Sequence, residues 1–148
     1  MLSLAGIASA DAQGKVRPDP AQSCSGGFKP HELCFETPKD KIARAEYLSE
    51  PFYAIILKTA ERCTISEKER LQTQDLFPLA KVFSMRFYCD DNIEENISYT
   101  NVNDKFGFLA VYAGSSLKEA NSRLAEVKAT GRFPGANIRR MQARLVYP

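Results

Sequence analysis

Phe133-Pro134-Gly135-Ala136-Asn137-Ile138-Arg139-Arg140-Met141 has a counterpart earlier in the same chain, Phe77-Pro78-Leu79-Ala80-Lys81-Val82-Phe83-Ser84-Met85. Phe-Pro, the Ala two places on and the Met recur in register, and Val82 answers Ile138. Upstream of each copy lies an apolar run, Tyr53-Ala54-Ile55-Ile56-Leu57 in one case and Phe108-Leu109-Ala110-Val111-Tyr112 in the other. The spacing is 24 positions from Tyr53 to Phe77 and 25 from Phe108 to Phe133, so the blocks match with one insertion. Self-similarity of this kind indicates one supersecondary unit used twice.

Each unit reads as strand, helix, strand. The first strand begins at Phe52 and runs to about Thr59. Thr64-Ile65-Ser66-Glu67 has the capping-box pattern, which opens a helix from Glu67 to Leu76. That helix is polar apart from Ile65, Leu71 and Leu76, so its apolar stripe is thin. Pro78 closes it, and Lys81 to Tyr88 alternates as the second strand. Asp90 to Asp104 is acidic and Asn-rich and reads as a solvated connection. Its ligand spacing is not that of a calcium loop.

The second unit has a strand from Phe106 to Ala113 and a capping box at Ser116-Leu117-Lys118-Glu119. Leu117, Ala120, Leu124 and Val127 form one helical face, and Gly131 stands where a C-terminal cap belongs. Asn137 to Val146 closes the chain as a strand. Two such units interleave into an α+β, ferredoxin-like βαββαβ fold, a four-stranded antiparallel sheet with both helices on one face. Before it, residues 13–50 form a Pro/Gly-rich arm with a short helix capped by Asp40. Ile42, Ala45 and Leu48, or Ala43 and Tyr47, are that helix's apolar side. The predicted domain is therefore 51–148, with pseudo-repeats at 52–89 and 106–146.

The 148 residues suffice for one cored domain, and a net charge of +2 gives no bulk-charge case for nucleic acid. No apolar run is long enough to span a bilayer. Residues 1–12 resemble the tail of a secretory signal, with Ala8-Ser9-Ala10 as the small-x-small pattern, so a periplasmic or secreted location is expected. In an exported chain, Cys24, Cys34, Cys63 and Cys89 favour two disulfides. Cys63 follows the first strand and Cys89 ends the second, and these strands run parallel in the interleaved sheet. That predicts Cys63–Cys89 and, by remainder, Cys24–Cys34. A zinc site on Cys24, His31 and Cys34 is an alternative whose spacing fits no common module.

From Phe106 to Arg144 the chain resembles a repeat of the SPOR domain, a family that binds bacterial cell-wall glycan. The resemblance rests on Phe108-Leu-Ala-Val-Tyr-Ala-Gly-Ser-Ser116, on Ala120 and Leu124, and on Gly131-Arg-Phe-Pro-Gly-Ala136. The first unit matches less closely. Where the family usually carries a Gln in the first strand and a Gly-x-Phe turn, this chain has Leu57-Lys58-Thr59 and Tyr112-Ala113-Gly114. The resemblance implies peptidoglycan glycan as a ligand.

With helices on one face of the sheet, the other face is wet, covered or binding something. Matching the repeats by parity puts Ala54, Ile56, Leu109 and Val111 toward the helices. It leaves Tyr53, Ile55, Leu57, Phe106, Phe108 and Tyr112 on the open face, with Arg86, Tyr88, Arg140, Gln142 and Arg144 on the edge strands. Tyr53, Arg86, Phe108, Tyr112, Arg140 and Gln142 are the expected ligand-binding residues, because rings stack on sugar faces while amides and guanidinium groups bond hydroxyls and carboxylates. The same face also suits cover by the arm, an envelope protein or inhibitor target, or a homodimer seam. Catalysis has little to work with. His31 is the single histidine, no Gly-x-Ser-x-Gly elbow surrounds Ser115, and Glu94, Glu95 and Asp104 sit in a loop of like charge. The expectation is a non-catalytic exported binding module without cofactor or metal, peptidoglycan glycan or an envelope protein being its partner.

Overall fold

The structure is a computed structural model that describes residues 15–20, 28–36, 46–85 and 97–146. Its strands are β1 (Lys15–Val16), β2 (Pro18–Asp19), β3 (Cys34–Phe35), β4 (Glu46–Ser49), β5 (Phe52–Glu61), β6 (Val82–Met85), β7 (Ile97–Tyr99), β8 (Phe106–Tyr112), β9 (Asn137–Met141) and β10 (Ala143–Val146). The two helices are α1 (Glu67–Gln74) and α2 (Leu117–Ala129). The chain is thus α+β with mostly antiparallel pairing.

One four-stranded sheet has the order β6-β8-β5-β9, every neighbouring pair antiparallel. A second has the order β1-β4-β10-β7, with β1 parallel to β4 and the other pairs antiparallel. β2 and β3 form a small ribbon. The helices cover one face of the first sheet and the second sheet covers the other. Ile55, Leu57, Val82, Leu109 and Val111 pack with Ala120 and Val127 of α2 and with Ile65 and Phe77 beside α1. On the opposite face Phe52, Ile56, Phe83, Phe108 and Met141 pack against Val16, Tyr47, Ile97 and Leu145 of the second sheet and against Leu33 and Phe35 of the arm.

The two sheets share one continuous ribbon. β4 leads into β5 through Pro51, and β9 leads into β10 through Gln142; β4 pairs with β10 and β5 with β9. A sheet corner of this sort must rehouse the backbone groups that leave the ladder. Ser49 does so: its hydroxyl accepts from Ala143 N–H at 2.8 Å, and its carbonyl accepts from the Gln142 side-chain amide at 3.0 Å. On the other side, Gln142 N–H donates to the Thr100 hydroxyl at 2.8 Å. What reads as one closing strand from Asn137 to Val146 is therefore two, broken at the corner.

Several local expectations meet their structures here. Ser116 caps α2, accepting from Glu119 N–H at 3.2 Å, and Gly131 follows the helix with φ 68°. For α1 the cap is Ser66, which accepts from Glu69 N–H at 3.1 Å, while the Thr64 hydroxyl turns back to the Glu61 carbonyl. Leu71 and Leu117, expected in buried stripes, are 51% and 54% exposed. The buried side of α1 is instead polar, formed by Arg70, Thr73 and Gln74. Residues 46–49, expected in the arm's short helix, are a strand, while residues 37–45 lie outside the described residues. Ile97–Tyr99, expected in a solvated connection, is a strand paired with β10. Both reassignments have one cause: segments of three or four residues become strands through long-range partners, which local propensity does not register.

The duplicated Phe-Pro segments occupy matching places. Phe77 and Phe133 each follow a helix and precede an edge strand of the first sheet. Their rings meet under the helices, with centroids 6.3 Å apart.

Candidate functional site

The face expected to be open is the seam between the two sheets. Phe108 is 2% exposed and meets the rings of Phe83 and Tyr99 at 5.9 and 5.5 Å. The parity assigned to the first strand is also reversed: Tyr53, Ile55 and Leu57 face the helices, and Ala54 and Ile56 face the second sheet. The run Phe52–Leu57 is apolar at every position because both its faces are buried, so alternation carries no signal for choosing between them. A bulge between Ile56 and Lys58 then places Leu57 and Lys58 toward the helices together.

The six expected ligand residues do not share a surface. Tyr53 and Arg140 stand opposite each other in register on the helix side. Phe108 and Tyr112 point the other way, one wholly buried and one half-buried. Gln142 is committed to the corner, and Arg144 pairs with Glu46 at 2.8 Å. Arg86 lies outside the described residues. Cys34 and Cys63 are both disulfide-bonded; Cys24 and Cys89, their expected partners, also lie outside. A disulfide at Cys34 removes the thiolate that the zinc alternative needs, and His31 is buried against β6, where its carbonyl accepts from Ser84 N–H at 2.9 Å.

Tyr112 opens onto a groove of about 570 Å³ beside the start of α2. Its ring leans on Phe52 with centroids 5.9 Å apart, and burial together with the Glu119 carboxylate raises its phenol above the ordinary value. Gly114, at φ 98°, then turns the chain into α2; a Cβ there would sit 2.6 Å from a Glu119 carboxylate oxygen. The turn is stitched to β5 by Tyr53 N–H to the Gly114 carbonyl and Ala113 N–H to the Tyr53 carbonyl, both 2.8 Å. Small residues Ala80, Ala113 and Gly114 leave the space. Lys118, Ser122, Arg123 and Glu126 wall it from α2, and Leu79, 88% exposed, walls it from the turn before β6. Lys118 has no ion pair among the described residues. Arg123 pairs with Glu126 through a terminal nitrogen, and its buried Nε has no hydrogen-bond acceptor among the described residues.

A second polar group lies inside, between α1, β6 and the arm. The Arg70 guanidinium holds Glu67 with two bonds of 2.7 Å and donates to the Val82 carbonyl at 3.0 Å. The Gln74 amide donates to the carbonyls of Phe77 and Ala80 and accepts from Val82 N–H. Burial would raise the Glu67 carboxyl, but the Arg70 bonds and charge, helped by His31 and Lys81, hold it below its ordinary value. Lys81 is 0% exposed and donates from Nζ to the Pro30 carbonyl at 2.8 Å, fastening the arm. These residues were not legible as buried, since nothing in a polar eight-residue helix marks which polar side chains turn inward.

Burial and Arg70 push the Lys81 ammonium down to about 8 from 10.5, with Glu67 and Glu32 opposing. Between these values the unfolded chain binds more protons than the folded one, so stability rises with pH across that window, by roughly 3 kcal/mol at most. Urea unfolding at both ends of the window should show a gain in the wild type that Lys81→Met lacks. An equal gain in both chains would assign it to other groups.

Among the described residues no helix is long and apolar enough to cross a membrane, and no group of three or more His, Cys, Asp and Glu could hold a metal ion. No protein family, curated protein or solved structure matches the chain.

Proposed function

We propose that the protein is an exported, non-catalytic binding module that takes peptidoglycan glycan in the groove beside Tyr112. The order β6-β8-β5-β9 with both helices on one face supports reading 52–141 as a ferredoxin-like βαββαβ unit. The meeting of Phe77 and Phe133 supports its origin by duplication, and with it the likeness to SPOR repeats. The sheet face that the likeness would use lies beneath the second sheet, so the ligand is assigned to the groove instead.

One observation carries this reading: Tyr112, of the expected ligand residues, borders a groove of ligand size together with two cations, a hydroxyl and two carboxylates. A pyranose offers an apolar face to a ring and hydroxyls to donors and acceptors, and wall carboxylates suit Lys118 and Arg123. Purified sacculi should retain the wild-type protein. Lys118→Ala and Arg123→Ala should each weaken retention about tenfold, whereas Arg144→Ala, in the second sheet and paired with Glu46, should leave it unchanged. Failure of the wild type to bind wall, with or without stem peptides, would remove the glycan.

A further inference from the structure

A smaller cavity, of about 240 Å³, opens at one end of the seam between the two sheets. Ile56, Val102 and Phe108 form its apolar lining, Phe106 stands at its mouth 42% exposed, and Thr59, Asn103 and Arg139 supply polar groups. Arg139 faces this seam because it pairs in register with Ala54, an inter-sheet core residue.

The guanidinium is held in place before any ligand arrives. Nε donates to Asn137 Oδ1 at 2.8 Å and one terminal nitrogen donates to the Asn101 carbonyl, also at 2.8 Å. Asn101, itself at φ 58°, returns a bond from its amide to the Arg140 carbonyl at 3.0 Å. The turn before β8 and strand β9 therefore fix the guanidinium plane between them. Its second terminal nitrogen has no acceptor among the described residues, and no described carboxylate forms an ion pair with Arg139.

A fixed, uncompensated guanidinium in a largely apolar cavity selects a planar anion, since its fork matches two carboxylate oxygens. The volume lies just below the usual small-molecule range, and two of the walls are aromatic, so the rest of the ligand is compact and apolar. We propose that this cavity is a separate binding site for a small monocarboxylate with an aromatic or branched apolar body, the carboxylate on Arg139 and the body between Phe106 and Phe108. The proposal does not depend on the groove beside Tyr112.

Titration with phenylacetate, followed through backbone amide NMR signals, tests it. Saturable shifts are expected at Val102, Phe106 and Arg139. Phenylacetamide, which keeps the ring and loses the charge, should bind about tenfold more weakly or worse, as should Arg139→Gln with phenylacetate. Because Arg139 also steadies the Asn101 turn, Val102→Phe provides a second variant: it fills the cavity, leaves the guanidinium in place and should abolish binding. Equal affinity for phenylacetate and phenylacetamide, undiminished binding by Val102→Phe, or a wild type unmoved by millimolar phenylacetate would each overturn the site.

Discussion

Phe108→Ala should lower the unfolding free energy by about 4 kcal/mol, the range for deleting a fully buried phenyl ring. The ring is enclosed: Phe83 meets it edge-on at 5.9 Å, Tyr99 at 5.5 Å, and the second sheet lies over it. Truncation removes its transfer free energy and leaves a void that β8, paired on both sides with β5 and β6, cannot close by shifting. On an open sheet face the same change would cost well under about 1 kcal/mol and act on ligand binding instead. Urea unfolding of the oxidised protein separates the two outcomes. A small loss would mean that β4, β7 and β10 do not cover the first sheet in solution.

That substitution also marks the limit of what the sequence discloses. The strand-helix-strand order, repeated, was legible because helix caps and Gly131 are local signals and the long strands β5 and β8 are strongly apolar. The cover over Phe108 was not, because it comes from strands of two to four residues whose partners lie far away in the chain: Val16 beside Ser49, Leu145 beside Tyr47 and Ile97. One clue was present in Phe52–Leu57 and Phe106–Tyr112. A strand with one wet face alternates, whereas these runs stay apolar almost throughout, the pattern of strands buried on both faces. Read that way, the aromatic face becomes a core in need of a second layer, and the arm supplies β1, β3 and β4.

The candidate sites show the same division. Tyr112 was named from the sequence as an aromatic on a sheet face expected to be open; that face is covered, and Tyr112 borders the groove only because it ends β8 just before the turn at Gly114. Lys118, Ser122 and Arg123 could not, since they lie on the polar side of α2, and only the turn at Gly114 and the projecting Leu79 make that side a groove. Arg139 presents a similar problem. It is one of two adjacent arginines in an edge strand, and register alone decides that Arg139 faces the seam while Arg140 faces the helix side.

Arg70→Met should cost about 3 to 5 kcal/mol, although Arg70 lies on a short helix and touches no proposed ligand. Its guanidinium is buried at three points of contact, two with Glu67 and one with the Val82 carbonyl. Methionine fills much of the volume but satisfies none of them. The Val82 carbonyl loses the Arg70 donor, and the half-buried Glu67 carboxylate loses the charge that holds its pKa down. Lys81 must respond in the opposite sense: with Arg70 gone, a repelling cation is removed and its ammonium should titrate at a higher pH than about 8. The alkaline gain in stability should therefore begin later in Arg70→Met than in the wild type, a readout that simple loss of packing would not move. Gln74 anchors the same turn through uncharged bonds, so Gln74→Leu should destabilise without displacing the Lys81 titration. If both variants shift it equally, the coupling runs through general loosening of α1 against β6 rather than through the Arg70 charge.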